Sequence, residues 1–376
     1  MKILSICPTI IEDSAMSWRI SNVAKILKSN GHEIHFISYC TKKTLERIKN
    51  RNQYDEHSYI IASAITVHVK HLKVILENKY DLVYGNTHDC AFFSILNKLN
   101  GVPIIFDMHG GNIEEFLLIN QNNPGWWRSP LISEYFLRKF INSVDLRFSD
   151  RIICVSRKMI EYLHEKKRIP FERMEYVTNG VDLDFFKPLD IKMVHNIRAN
   201  LGLENKLVFG YIGGLQRWQG IENFIEAAQK FNDKDVAFLI TANKSDIKQN
   251  NITFIPKIPR AQLPNYYSIC DVLVLPRPSH PATEIAAPTK FAEYTAMGKP
   301  ILTTNVGDAA ELVNKYNCGI VVRDNRIEYL TQGMLEFKNR SPKELRIMGK
   351  KARILAQNEF DWKKVGINLL KAVEQL

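Results

Sequence analysis

Short apolar runs alternate with helical stretches along the whole chain, and the alternation restarts near its middle. Lys2 to Cys7 is a strand-like run. Ile20, Val23, Ala24 and Leu27 then recur at helical spacing, with Gly31 as a stop. Glu33 to Ser38 reads as the next strand, and further strands are expected at Ile65 to Val69, Asp81 to Tyr84, Pro103 to Asp107, Arg151 to Val155 and Glu175 to Val177. The pattern begins again at Lys206 to Ile212, with an amphipathic helix over Ile221 to Phe231. Strands follow at Val236 to Thr241, Ile252 to Ile255, Val272 to Leu275, Pro300 to Thr304 and Gly319 to Val322. Strand–helix alternation of this kind predicts parallel sheets covered by helices on both faces.

The expected fold is therefore α/β, with two doubly wound, Rossmann-like domains facing across a cleft. The first domain covers residues 1–187 and the second 188–357, and a closing helix within 358–376 packs back on the first. Ligands of such folds bind outside the carboxyl ends of the strands.

Composition narrows the function. The 376 residues suit two cores of ordinary size. No apolar run approaches the ~20 residues of a membrane-spanning helix, and the start is too short in apolar residues for a signal peptide, so a cytoplasmic protein is expected. Six scattered cysteines without CxxC spacing argue for buried thiols over a zinc or redox site. A net charge of +11 suits anionic partners: nucleotide-sugars, nucleic acids or acidic lipid. One basic stretch, with Arg147, Arg151, Arg157, Lys158, Lys166, Lys167, Arg168 and Arg173, is either a solvated face or a patch for anionic head groups.

The first strand is not followed by a glycine cluster, which excludes the dinucleotide fingerprint there. In the second half a strand runs into Gly213-Gly214-Leu215-Gln216-Arg217-Trp218-Gln219-Gly220 and then a helix. Glycines in such a turn let backbone N–H groups approach an anion at the helix end, and Arg217 adds a forked donor. A second polar loop, Pro276 to Glu284, precedes a helix that starts near Thr289 and stops at Gly298. Lys290 lies in its first turn, where the helix dipole disfavours a cation, and a bound anion there would explain it. Glu293 shares its face. The alternative for this pair is a surface ion pair of little consequence.

The run Lys290-Phe291-Ala292-Glu293-Tyr294-Thr295-Ala296-Met297-Gly298-Lys299-Pro300-Ile301 resembles the characteristic helix of glycosyltransferase family 4. Tyr176 to Asp182 is similar to its "NGVD" segment, Asp150 to Ser156 to its "D-R-x-x-x-V-S" strand, and Leu263 to Val272 to its "LPxxYxxAD" stretch. The motifs occur in the family's order over nearly the whole chain. The resemblance implies the GT-B fold and a retaining, metal-independent transfer of a sugar from a nucleotide-diphosphate donor. The acceptor would be a hydroxyl of a glycan, lipid-linked or small molecule. No cofactor is expected beyond the UDP- or GDP-type co-substrate, and neither a metal nor a nucleic acid partner.

The same resemblance assigns residues. Glu293 would take the ribose hydroxyls, and Arg217 and Lys290 the diphosphate, with Gly213, Gly214 and Thr283 beside them. His109 would lie near the transferring sugar, and Glu284 is the candidate for the sugar-side acid. His88 and Asn179 would stand on the acceptor side. The sequence departs from the family pattern at three places: the first paired glutamate falls on Ile285, one position after Glu284, the turn arginine is Gly214 and the turn lysine is Gln219. Asp182-Leu183-Asp184 spells D-x-D but sits in the inter-domain segment and is discounted as a metal motif.

Adjacent Trp126 and Trp127, followed by Leu131, Tyr135, Phe136 and Phe140, either cover a core or face a membrane or acceptor groove. The membrane alternative adds a peripheral contact with anionic lipid to the expected partners. Three rivals remain: a non-catalytic two-lobed sugar-binding protein, a sugar hydrolase with paired acids, and a nucleotide-sugar epimerase on the same fold.

Overall fold

The computed structural model describes residues 1–8, 15–40, 57–61, 79–123, 125–242 and 251–376. The chain divides into two compact units, Met1–Thr178 with Gly366–Leu376, and Asn179–Val365. Each contains one wholly parallel sheet.

In the first unit the sheet is built from β1 (Lys2–Pro8), β2 (Glu33–Cys40), β3 (His57–Ile61), β4 (Leu82–Asn86), β5 (Ile104–Met108), β6 (Arg151–Cys154) and β7 (Met174–Tyr176). Their spatial order is β3-β2-β1-β4-β5-β6-β7. The helix Ala15–Ser29 buries Ile20, Val23, Ala24 and Leu27, and Gly31 follows it at φ 84°. The closing helix Trp362–Glu374 delivers its last turns here. Its buried Leu369, Ala372 and Val373 are accompanied by Asn368 donating to the Tyr176 carbonyl and Lys371 bonding Glu175. The edge strand β3 is absent from the sequence expectation, because its His57 and Ser58 break the apolar run that marks the inner strands. The strand expected at Ile65 to Val69 lies outside the described residues.

In the second unit the strands are β8 (Leu207–Tyr211), β9 (Val236–Thr241), β10 (Ile252–Ile255), β11 (Val272–Leu275), β12 (Ile301–Thr304) and β13 (Gly319–Val322), in the order β10-β9-β8-β11-β12-β13. The inner strands are buried on both faces, which is why they read as continuous apolar runs. Side chains alternate between two cores, one on each face. Val208, Leu239, Leu273 and Ile301 enter one, and Phe209, Phe238, Val272 and Leu302 the other.

Both sheets reverse direction of growth at one place, between β1 and β4 and between β8 and β11. In doubly wound sheets the helices diverge at such a reversal, and a crevice forms at the carboxyl ends of the strands.

Candidate active site

In the second unit the crevice end is organised around the glycine turn after β8. Tyr294, on the helix Thr289–Ala296, places its hydroxyl 3.2 Å from both the amide and the carbonyl of Ile212 and pins the strand end to that helix. The Gly213 amide donates to Thr241 Oγ1 at 3.2 Å, and the Tyr211 hydroxyl donates to the Gly214 carbonyl at 2.5 Å. A Cβ on Gly213 would lie 2.6 Å from Lys290 Cδ and 2.8 Å from its Nζ. The lysine ammonium thus rests directly on the turn backbone, 5.2 Å from the Tyr211 ring centre.

Lys290 is buried, so the surface-pair alternative fails. Burial, and next the positive charge of Arg277, pull its pKa down from 10.5 to about 8, with Glu293 only partly opposing. Arg277 follows β11 and is also buried. Thr304 Oγ1 fixes its backbone by donating to its carbonyl at 2.7 Å. Two buried cations therefore act on each other beside exposed-backbone glycines, an arrangement suited to an anion. Arg277 was not singled out from sequence, where it is one cation in a proline-rich loop. Arg217, which was, occupies the short 3-10 turn Arg217–Gln219 and is half-buried.

Glu293 faces elsewhere than Lys290. Its Oε1 takes a 2.7 Å ion pair from Arg260 and its Oε2 the Tyr267 hydroxyl at 2.8 Å. Arg260 also lies over the Phe186 ring, 5.0 Å from its centre. Arg260 too escaped the sequence reading, being 33 residues from its partner.

The loop before this helix is held stiffly. Thr283 Oγ1 lies 2.6 Å from the Pro278 carbonyl and 2.7 Å from that of His280, and it accepts from the His280 amide. Glu284 Oε2 accepts from the Gly307 amide at 2.8 Å, at the start of the helix Gly307–Tyr316, and Oε1 accepts from Ser279. Both oxygens of the acid expected at the sugar are thus engaged in closing the loop on a helix end. Ile285, at the family's glutamate position, is buried in the core. Asn179 donates to the Ala287 carbonyl at 2.7 Å and ties the start of the unit to the same loop. Asp182 spends Oδ1 on the amides of Asp184 and Phe185, a turn role.

In the first unit two histidines stand at strand ends. His109 follows β5, with Nε2 3.3 Å from Asp107 Oδ2. Asp107 is fully buried and also takes Arg19 through both oxygens and the Tyr84 hydroxyl. Burial would raise its pKa, but Arg19 and then His109 outweigh this and hold it well below the usual carboxylate range. Arg19 uses its remaining N–H groups on the Val177 and Thr178 carbonyls. His88 follows β4, with Nε2 3.3 Å from the Gly110 carbonyl and Nδ1 3.4 Å from Asp145. Burial lifts Asp145 to about 7, with His88 pulling the other way. Between β4 and His88, Thr87 adopts φ 84°, a strained conformation for a β-branched residue of the kind found at functional sites. Neither histidine is paired with an acid as a solvent-exposed couple; both are braced from the interior.

The basic stretch is mostly used structurally. Lys158 pairs with Glu161, Lys167 with Glu114, Arg157 lies over Tyr176, and Arg151 and Arg173 donate to main-chain carbonyls. Cys7, Cys90, Cys154, Cys270 and Cys318 are free and buried. Among the described residues, no group of three acids, histidines or cysteines could hold a metal ion, and no helix is long and apolar enough to cross a membrane. A cavity of about 650 Å³ opens at the other, amino-terminal end of the second sheet, beside Leu207, Asp271 and Pro300. Two of its cations serve helix ends, Arg198 donating to the Ile269 carbonyl and Lys299 to that of Ser268.

Two doubly wound parallel units with crevices at their switch points define the GT-B class of fold. Residues 16–185 match the model of Glycosyltransferase Family 4, and residues 194–355 match that of Glycosyl transferases group 1. The chain belongs to this glycosyltransferase family. It is 27% identical over 216 residues to the putative teichuronic acid biosynthesis glycosyltransferase TuaH of Bacillus subtilis, a match covering 54% of this chain and about half, 53%, of that protein. It is 24% identical over 325 residues to the UDP-Gal:alpha-D-GlcNAc-diphosphoundecaprenol alpha-1,3-galactosyltransferase of Escherichia coli, covering 81% of this chain and 76% of that one. Among solved structures, Anabaena HepE in complex with UDP shares the fold over the full length of both chains, with a TM-score of 0.79 at 16% identity.

Proposed function

We propose that the chain is a retaining, metal-independent glycosyltransferase that binds a nucleoside-diphosphate sugar in its second unit and passes the sugar to a hydroxyl. The observation that carries this reading is the Lys290 ammonium resting on Gly213, in the turn after β8, with the buried Arg277 just after β11 near enough to act on its charge. A diphosphate there would receive two cations and turn amides, and its charge grows as the sugar bond breaks. This charge would replace the arginine and lysine that the turn lacks at Gly214 and Gln219, with Arg217 as a further donor from the turn. HepE is described with UDP and with UDP-glucose bound, which favours a UDP-type donor by likeness of fold.

Glu293 would offer the ribose hydroxyls the lone pairs left by Arg260 and Tyr267. Asp107 orients the His109 ring through Nε2, so Nδ1 is left for the sugar. Glu284 and Thr283 act as positioning residues that hold the donor loop. The acceptor hydroxyl attacks from the face the nucleotide leaves, and the departing phosphate takes its proton. His88 belongs to the acceptor side, whereas Asn179, expected there as well, braces the donor loop through the Ala287 carbonyl. The Escherichia coli relative's name specifies a lipid-linked diphosphate acceptor, and we infer an acceptor of that class and a cytoplasmic site of action.

Thermal shift against UDP, GDP, ADP and their sugars tests the reading. Wild type is stabilised by one nucleotide, and Lys290→Ala and Arg277→Ala lose most of that shift. An unshifted wild type with every nucleotide would sink the donor site. A shift without transfer to any hydroxyl acceptor would favour a sugar-binding protein or an epimerase.

A further inference from the structure

One surface of the first unit plays no part in the proposed reaction. The helix Leu131–Phe148 is preceded by the turn Trp126–Arg128. The two tryptophans of that turn have different fates. Trp126 packs edge-on against Phe116, 5.5 Å between ring centres, and against Tyr135 at 5.5 Å. Trp127 is thereby held outward and is 51% exposed. The Arg128 guanidinium lies over it at 4.1 Å.

On the helix, Phe136, Leu137 and Phe140 are 57–58% exposed. Phe136 and Phe140 are one turn apart and form a stripe, and Arg147 lies further along the same line. Such large apolar side chains are found outward when another apolar phase covers them. Among the described residues, the charges beside them that have no ion-pair partner are cationic. Arg128, Lys139 and Arg147 are exposed, whereas Asp145 is buried and Glu134 is held by Arg138 at 2.7 Å. At 100° per residue, Glu134 is also about a third of a turn away from the stripe. An aromatic and aliphatic stripe bordered by free-standing cations matches an anionic bilayer: apolar groups enter the acyl boundary while the cations meet the phosphates. A protein partner would be expected to meet some exposed carboxylate or amide here, and the helix offers none on this line.

We propose that Trp127, Phe136, Leu137 and Phe140 form a docking surface for an anionic phospholipid membrane, with Arg128, Lys139 and Arg147 as its head-group contacts. The helix would lie along the surface rather than cross it. The proposal is independent of the donor site, which belongs to the other unit.

Flotation of the full chain with phosphatidylcholine vesicles, with and without phosphatidylglycerol, tests it. Wild type should float with the anionic vesicles and much less with the neutral ones. Phe136→Ser/Phe140→Ser should lower the floated fraction about tenfold. Arg128→Glu/Lys139→Glu should lose binding at moderate salt. Both variants alter exposed side chains, so both should keep the wild-type melting temperature and nucleotide shift. Wild type left unbound by anionic vesicles at low salt overturns the proposal. So does a wild-type dimer that Phe136→Ser/Phe140→Ser converts to monomer with no vesicle binding in either, since a second copy would then cover the face.

Discussion

Lys290 and Asp145 are both buried against their charged forms, and pH should report on each. Lys290 has a folded pKa of about 8, below its ordinary 10.5, so the unfolded chain binds more protons between those values. Stability from this group therefore rises as pH climbs from about 8 to 10.5 and is at its lowest below 8. Lys290→Met should accordingly raise the stability of the ligand-free protein at neutral pH by about 1–3 kcal/mol while losing the nucleotide-induced shift. Urea denaturation with and without nucleotide reads both effects, and a less stable, nucleotide-responsive variant would contradict the role. Asp145 has the opposite sign. Its folded pKa of about 7 exceeds the ordinary 3.8, so stability from it falls as pH rises through that window. Asp145→Asn keeps an acceptor for His88 and should raise the melting temperature at pH 8 relative to wild type, with little gain at pH 4. The sequence disclosed Lys290 because a cation in a first helical turn is locally anomalous. It could not disclose Arg277, Arg260 or the Arg19–Asp107 pair, whose significance depends on burial and on partners 33 and 88 residues away.

Strands and helices were legible wherever burial on both faces leaves a continuous apolar run, as in β9 and β11. They were less so at the edge, where β3 carries polar residues. Register within a loop was not legible at all. The one-residue offset between Glu284 and the family's glutamate becomes intelligible only when Ile285 is seen in the core and Glu284 on the Gly307 amide. Glu284→Gln should retain the loop and most nucleotide affinity, whereas Glu284→Ala should loosen the Gly307 end; the contrast in nucleotide-induced melting shift checks this. Gly220 opens the helix Ile221–Lys230 in a left-handed conformation, φ 67°, and a Cβ there would meet the Pro276 carbonyl at 2.1 Å. Gly220→Ala should cost about 1–3 kcal/mol in denaturant unfolding. A change below a few tenths would show that the turn relaxes.

The first unit is discontinuous in sequence, since Gly366–Leu376 belongs to it while Asn179–Val365 forms the second. Ending the chain at Val365 should therefore damage the part made first. Hydrogen exchange should show protection lost in the helix Ala15–Ser29 and around β7, near Ile26, His32 and Tyr176 where the closing helix makes contact. The second unit's strands should keep theirs, and equal loss in both would refute the division. The tract between the two pieces of the first unit sets a delay during synthesis. At about 5–20 residues per second, residues 179–365 take roughly 10 to 40 seconds to translate. Through that interval the nascent first unit has an uncovered apolar strip where Leu369, Ala372 and Val373 will later dock. The unit that leaves the ribosome first is completed last, and a chaperone that shields that strip would act before translation ends.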